Sequence, residues 1–317
     1  MQKPALPSRQ EQAASMADWA MLVTLALVWG SSFILIKRGL DVFSPAEVGA
    51  IRVASAWVFL LPLAVTQVRK FPANKLKYLV IMGMLGNFLP AFLFAKAQTQ
   101  LASSVTGVLN SLTPLFTLLV GVLLFKNTLN RQQSLGLVVA FAGSAILSLI
   151  SGGGNGSINF YVFFVVLATL CYAISANVIK VHLSHLRSVT ISSLAIFTVG
   201  PLAVVYLLAD ADFLLKMQQA ENAWRSLGYL CLLGCVGTGM ALMVFNKIVQ
   251  NTSAVFATSV TYIIPLVAIF WGVIDGETLT VLHYLGMATI VAGVYLANRK
   301  KKKPGKKLAA SARAGKA

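Results

Sequence analysis

The sequence is poor in charged residues, and above all in acidic ones. Only 11% of its 317 residues are charged, and nine of these are Asp or Glu. Soluble domains carry about 25% charged residues. In this chain 57% of the residues are hydrophobic and the mean hydropathy is +0.79. The chain therefore lacks the polar surface that a water-soluble enzyme requires, which excludes that class of protein.

Residue patterns for catalysis and metal binding are also missing. The chain has three cysteines, and no histidine lies near Cys231 and Cys235 in sequence to complete a tetrahedral zinc site. We expect these two residues and Cys171 to be core residues without disulfides. No H-E-x-x-H, G-x-S-x-G or phosphate-binding loop is present. The sequence predicts no catalytic residue, no metal site and no cofactor.

Long apolar stretches dominate the chain instead. A membrane-spanning helix needs about 20 mostly apolar residues, and the sequence predicts an all-α membrane protein with ten transmembrane helices. Between the seventh and eighth predicted helices, charged residues at 210–225 predict a water-exposed, interfacial stretch. The predicted helices are 19–36, 46–66, 77–95, 101–125, 133–150, 159–179, 189–209, 226–245, 252–274 and 281–298.

Basic residues outnumber acidic ones, 26 to 9, and their positions predict the orientation. With the N-terminus inside, twenty Lys and Arg fall in inner segments and five in outer ones. Cytoplasmic loops collect such residues, so we expect a multi-pass protein of the cell inner membrane with both termini in the cytoplasm. Nine lie in the tail after Asn298, where we expect contact with anionic lipid headgroups rather than nucleic acid.

The sequence repeats at an offset of 151 residues. Lys96 and Pro114 align with Lys247 and Pro265, and Trp29 aligns more weakly with Tyr172. The repeats define four segments. Because each repeat has five helices, the second enters the membrane from the opposite side, as in transporters that work by alternating access. The segments are 1–18 at the N-terminus, the repeats 19–150 and 159–298, and the basic tail 299–317.

Several motifs resemble the EamA family of the drug/metabolite transporter superfamily. They are Trp29-Gly-Ser-Ser-Phe-Ile-Leu-Ile-Lys37, Ser44-Pro45 with Arg52 seven residues later, Leu112-Thr-Pro-Leu-Phe116 and Gly276-Glu-Thr-Leu279. The resemblance implies ten helices and export of small metabolites such as amino acids. One departure is Lys126-Asn127, where the family usually has Gly-Glu.

Polar residues near helix midpoints are the candidate substrate-binding groups, since they are costly in hydrocarbon unless they face a cavity or a partner. The repeat pairs Asn87 with Thr238, Asn110 with Thr261, and Ser111 with Tyr262. The alternative is that these groups bond to their own helix or join neighbouring helices. The full set is Ser31, Ser32, Asn87, Asn110, Ser111, Thr113, Ser175, Asn177, Thr238, Thr258, Thr261 and Tyr262.

Aromatic and basic residues add further candidates. Trp29 and Tyr172 are candidate walls of an apolar binding site, or else packing and interfacial residues. The charge of Arg52 could attract a substrate carboxylate, snorkel to the surface or pair with an acidic loop residue. For Arg52 we expect a structural or gating role.

Paired prolines and glycines suggest how the helices bend and pack. Pro114 and Pro265 occupy matching positions and are candidate hinges or static bends. Glycines recur seven residues apart in helices 5 and 10, at a close contact within one chain or between two. The sequence leaves that choice, and the oligomeric state, open. The four glycines are Gly136, Gly143, Gly286 and Gly293.

These patterns together predict an exporter of small molecules. No acidic residue falls near a helix midpoint, which favours facilitated transport over proton antiport, although Glu47 and His283 stand at helix ends. A channel-like pore and a membrane enzyme are the alternative functions. A pore predicts currents without saturation, and an enzyme requires a reactive group of residues that the sequence lacks.

We predict that reporter fusions after Asn298 and within 67–76 indicate the cytoplasm, because basic residues concentrate there. Fusions within 151–158 should indicate the exterior. The measurement is the activity of a reporter that works on one side of the membrane only. An exterior C-terminus would contradict the assignment of inverted repeats.

Overall fold

The computed structural model describes residues 15–69, 71–125, 129–151, 158–183, 186–251 and 260–298. These residues are helical apart from caps and short turns, and none of them lies in a strand. The predicted all-α class is confirmed.

Eleven helical segments, α1 to α11, follow one another along the described chain. Among the described residues, eight are long and apolar enough to cross a membrane, and α10 and α11 are shorter apolar helices. The chain is a multi-pass membrane protein, and the count of ten spanning helices stays a prediction because part of 252–274 lies outside the described residues. The bounds are α1 Met16–Leu40, α2 Pro45–Val68, α3 Ala73–Gln98, α4 Ser103–Leu124, α5 Arg131–Ile150, α6 Tyr161–Leu183, α7 Ser188–Ala209, α8 Ala211–Gln219, α9 Ala223–Phe245 with a continuation to Asn251, α10 Val260–Ile274 and α11 Val281–Asn298.

Local sequence signals explain where helices begin. Ser44 caps α2, and Glu47 three residues later bonds back to its backbone. Such a reciprocal box satisfies amide groups that have no partner at a helix start, and Pro45 suits the first turn because it lacks an amide hydrogen. Capping boxes also begin α1 at Ser15 and α5 at Asn130.

Two long helices contain matching irregularities. Met84–Phe88 in α3 and Leu233–Met240 in α9 are π-helical, and they overlap at the offset of 151 residues. A π-helical turn changes the backbone hydrogen-bond pattern and often marks a functional site. Asn87 and Thr238 lie in these segments.

The two prolines of the repeat differ in setting. In α4 a 3₁₀ turn at Asn110–Leu112 precedes an α-helical segment that starts at Thr113, so Pro114 stands in a first helical turn, where its missing amide costs little. Pro265 lies inside α10. The hinge role of both prolines remains a prediction.

Helix contacts cross between the two halves of the chain. The helix α1 packs against α9 and α10, and α6 packs against α3 and α4. In addition, α2 packs along α7 and α5 along α11. The first half therefore does not form a separate bundle, because its helices bury their faces against the second half.

Glycines form the contact between α5 and α11. A methyl group placed on Gly143 would lie 2.8 Å from the backbone nitrogen of Ile290, and one on Gly293 would lie 2.5 Å from that of Ala140. Gly136 and Gly286 also face the partner helix. The four glycines thus serve packing within one chain, which decides a choice that the sequence left open.

The stretch at 210–225 contains a helix that the sequence analysis missed. The nine residues of α8 have an apolar face that contacts the bundle through Phe213, whose ring centre lies 5.8 Å from that of Phe43. Lys216 on the same helix binds Glu47. Its charged residues obscured the pattern, since nine residues hold only two or three turns of helical periodicity.

We predict that Gly143→Ala lowers the thermal stability of the detergent-purified protein. The added methyl group meets backbone atoms of α11, and overpacking costs about 1–3 kcal/mol. The matched control is Gly228→Ala on α9. There the added methyl group would have no atom of a neighbouring helix within 4 Å, and the gain in helix propensity should leave stability equal or higher. Equal melting temperatures for both variants would contradict the tight contact.

Candidate functional site

Side chains from α1 and α2 bond to the π-helical segment of α9. The indole of Trp29 on α1 donates to the carbonyl of Gly237 over 3.0 Å. Nε of Arg52 on α2 donates to the hydroxyl of Thr238 over 3.2 Å, and the charge of the guanidinium lies close to Tyr172 on α6. We call Trp29, Arg52, Tyr172, Gly237 and Thr238 the central cluster.

The π-helical segment explains why α9 attracts these donors. Carbonyl and hydroxyl groups at membrane depth need partners inside the protein. A π-helical turn alters the regular bonding of carbonyls such as that of Gly237. A methyl group on Gly234 would lie 2.5 Å from the carbonyl of Arg52, so glycine permits α9 to approach α2 there. The short helix separation places Thr238 within reach of the guanidinium.

Aromatic rings surround the central cluster. The ring centre of Phe245 lies 5.5 Å from that of Trp29, and the ring of Phe94 stacks on Tyr172 at 5.9 Å. Small-molecule sites are mostly apolar with a few polar groups that orient the ligand. The central cluster has this composition, with one cation among neutral groups.

The charge of Arg52 has no acidic partner among the described residues. Glu47, one and a half turns earlier on α2, is fully buried and binds Lys216 at 2.6 Å. The guanidinium itself is half-buried and directed towards α9. Pairing with an acidic loop residue, one of the alternatives for Arg52, is not found in the described part of the chain.

Three predicted residues lie at helix contacts near this cluster. Ser32 is buried and donates to the carbonyl of Val28 on its own helix. Ser175 is buried against Gly86 of α3, beside Asn87, whose amide donates over 3.5 Å to the carbonyl of Met82. These contacts agree with both the binding and the packing alternatives.

Asn177 and Ser31 join helices to one another. The amide of Asn177 on α6 donates to the carbonyls of Ala173 and, across the interface, Thr117 of α4, over 2.9 and 3.1 Å. The indole of Trp271 donates to the hydroxyl of Ser31 over 2.7 Å. Both contacts fit the packing alternative.

The remaining predicted residues lie on α4 and α10. The hydroxyl of Thr113 donates to the carbonyl of Asn110, and that of Ser111 is buried with no hydrogen-bond partner among the described residues. Thr261 and Tyr262 begin α10, and the Tyr262 ring centre lies 6.5 Å from that of Tyr295. Thr258 lies outside the described residues.

A second polar site lies where α1 ends and α4 begins. Glu277 accepts 2.7 Å hydrogen bonds from both the amide and the hydroxyl of Ser103, and two more from Ser104. Lys37 lies 3.1 Å from the same carboxylate and 2.5 Å from Asp275. We call Lys37, Arg38, Ser103, Ser104, Asp275 and Glu277 the ionic cluster, in which Arg38 also binds Asp275.

The ionic cluster ties three parts of the bundle together. Gly276 has a φ of 75°, which glycine adopts readily, and this turn returns Glu277 to the start of α4. The carboxylate caps α4, while Lys37 and Arg38 are in the last turns of α1. All ion pairs among the described residues lie at this end of the bundle. In sequence, two motifs contain residues of this site, the one that ends at Lys37 and Gly276-Glu-Thr-Leu279.

The environment of Glu277 favours its charged form. Burial by itself would raise the pKa of this carboxyl, but the hydrogen bonds from Ser104 and Ser103 outweigh that effect and hold the pKa below its ordinary value. The ionised carboxylate therefore stabilises the folded state.

Comparison with known proteins places the chain among transporters. Residues 18–149 and 159–299 each match the family model of the EamA-like transporter family. The chain is 24% identical over 280 residues to an Escherichia coli protein named as the uncharacterized inner membrane transporter YedA, covering 87% of this chain and 88% of that one.

Two further relatives carry more specific names. A Salmonella typhimurium protein named as a probable amino-acid metabolite efflux pump is 24% identical, with 89% of this chain and 95% of that one covered. A Streptantibioticus cattleyicolor protein named as a probable terminal-alkyne amino-acid exporter is also 24% identical, with 90% and 94% covered. A solved crystal structure, described only as that of a protein, is similar in fold with a TM-score of 0.59 at 14% identity, over 90% of this chain and 97% of that one.

We predict that Glu277→Gln lowers the free energy of unfolding at neutral pH by about 1.5–3 kcal/mol, the usual range for hydrogen bonds to a charged group. The melting temperature should fall accordingly. In the wild type this contribution is complete above pH 4.5, the ordinary pKa, and is lost as the pH falls towards the lowered folded-state pKa. Melting curves should therefore converge in acid. The control is the exposed Glu221→Gln, and a constant difference at all pH values would contradict the prediction.

Proposed function

This chain belongs to the EamA-like transporter family, and on that premise we propose that it exports amino acids or related small metabolites by alternating access. The central cluster carries the proposal. Four helices, two from each half of the chain, supply its aromatic and polar groups. A site between two halves that can move against each other is what alternating access requires.

The relatives support the substrate class. Two of them are named for amino-acid export, each covering about nine-tenths of this chain. An amino acid combines an apolar side chain with charged ends, and the central cluster places rings beside a guanidinium. We propose that Trp29, Tyr172 and Thr238 contact the substrate.

Helix contacts support the two inverted five-helix repeats. The packing of α1 on α9 and α10 has a counterpart in that of α6 on α3 and α4. The π-helical segments of α3 and α9 overlap at the repeat offset. Each half thus presents an irregular helix to the other half. We propose that the two halves are five-helix repeats related by inversion, which together make ten helices.

The ionic cluster supports a closed state at one end of the bundle. Lys37 and Glu277 hold α1 against α4 and the loop after α10. The basic residues of the sequence assign this end to the exterior. Export requires that these contacts separate so that substrate can leave, and we propose that bending at Pro114 and Pro265 accompanies the change.

We propose that transport is facilitated, that is, driven by the substrate gradient alone. Among the described residues the acidic groups lie at helix ends, and Glu47, Asp275 and Glu277 are bound to basic groups there. No described carboxylate lies in the central cluster to carry a proton with each substrate. Efflux down a substrate gradient then needs no proton gradient.

We predict saturable efflux from proteoliposomes loaded with a mixture of amino acids and related metabolites, followed by mass spectrometry. Trp29→Ala should weaken the apparent affinity about two- to tenfold, the range for loss of an aromatic contact of 0.5–1.5 kcal/mol. The matched control is Trp224→Ala, since Trp224 is 73% exposed. Collapse of the proton gradient should leave efflux unchanged.

Three outcomes contradict separate parts of the proposal. Current without saturation indicates a pore. Strict dependence on the proton gradient indicates a titrating group that takes part in transport. Equal effects of Trp29→Ala and Trp224→Ala place the substrate away from the central cluster.

A further inference from the structure

We infer that Arg52 binds a carboxylate of the substrate, so that the transported compounds are carboxylic acids and not analogues that lack a carboxylate. This inference rests on the proposed function, because it takes the central cluster as the substrate site. It goes further by assigning the charge that a substrate must carry.

The guanidinium of Arg52 has unused donors. It carries five N–H groups, of which the one on Nε donates to Thr238. The others have no partner among the described residues. The bond to Thr238 orients the guanidinium, and its remaining N–H groups are available to a ligand.

The positive charge also lacks compensation. A cation inside a membrane protein is costly unless it pairs or faces a cavity. Glu47 is committed to Lys216, and the ionic cluster commits Asp275 and Glu277 to Lys37 and Arg38. An anion that arrives with the substrate would supply the missing charge.

The direction of the side chain argues against snorkelling. A snorkelling arginine extends towards the nearer membrane surface. Arg52 instead donates across to Thr238 in the π-helical segment of α9, and its charge lies close to Tyr172 on α6. Its contacts hold it in the bundle interior, beside the aromatic rings.

A carboxylate suits this site better than a phosphate. The planar fork of arginine pairs with a carboxylate through two parallel hydrogen bonds. The described contacts of the central cluster bring no second basic residue to Arg52, and a phosphate with nearly two negative charges would remain partly uncompensated. The ring of Phe245, which lies beside Trp29 and is only partly buried, offers apolar surface for the body of the acid.

The test uses pairs of compounds that differ only in the carboxylate. Purified full-length protein in proteoliposomes is assayed for efflux of phenylalanine, leucine and their carboxamides, with inorganic phosphate as a competitor. The variants are Arg52→Gln, which removes the charge, and Arg52→Lys, which keeps the charge without the fork. The matched control is Arg69→Gln, at the exposed end of the same helix.

The wild type should favour each acid over its amide by tenfold or more. Arg52→Gln should lower kcat/KM for the acids by roughly tenfold or more, which is the scale of a lost charged hydrogen bond, and change the amides less than twofold. Arg52→Lys should restore part of the preference, and Arg69→Gln should behave as the wild type. Phosphate should not compete.

Each contrary outcome has a distinct meaning. If the wild type moves acids and amides alike, or Arg52→Gln leaves acid transport unchanged, the carboxylate assignment is wrong while the transporter function stands. Competition by phosphate but not by the acids assigns Arg52 to another anion. If the wild type moves none of the compounds, and none of the metabolite mixture either, the proposed function itself fails. If Arg52→Gln does not fold, the acid-to-amide ratios of the wild type and Arg52→Lys are compared instead. Equal ratios for the two proteins would contradict the assignment of the carboxylate to Arg52.

Discussion

The structure depends on one constraint, that polar groups in apolar surroundings must find their partners inside the protein. Hydrocarbon offers no hydrogen bonds, so regular helices satisfy their backbones locally. Where α9 becomes π-helical, other helices supply the partners, through the indole of Trp29 and the guanidinium of Arg52. The same requirement therefore brings side chains from α1 and α2 to α9 at this point.

The same constraint produces two polar sites of different character. The central cluster contains one cation among neutral and aromatic groups, whereas the ionic cluster pairs its charges with one another. A paired network holds helix ends together but has no free charge to offer a ligand. An unpaired buried group costs free energy unless a ligand or water supplies its partner. On the proposal above, the ionic cluster closes one end of the bundle and Arg52 binds the substrate.

Packing between α5 and α11 follows a different rule. Small residues let two backbones approach closely where the hydrophobic effect contributes little, and Gly143 and Gly293 face backbone atoms of the opposite helix. This contact joins the two halves away from the central cluster. In an alternating-access scheme, such a rigid contact provides a frame against which other helices can move.

The sequence by itself predicted the long apolar helices but not α8, since apolar length, caps and prolines are local properties. The predicted bounds of α2, 46–66, differ from the observed Pro45–Val68 by a few residues. The sequence also selected Trp29, Tyr172 and Thr238 as candidates. Only the tertiary structure decided that Arg52 joins them, that Asn177 reaches Thr117, and that Glu277 caps α4. Those contacts depend on which helix faces meet, over separations of 60 to 186 residues, and a local pattern carries no information about a distant partner.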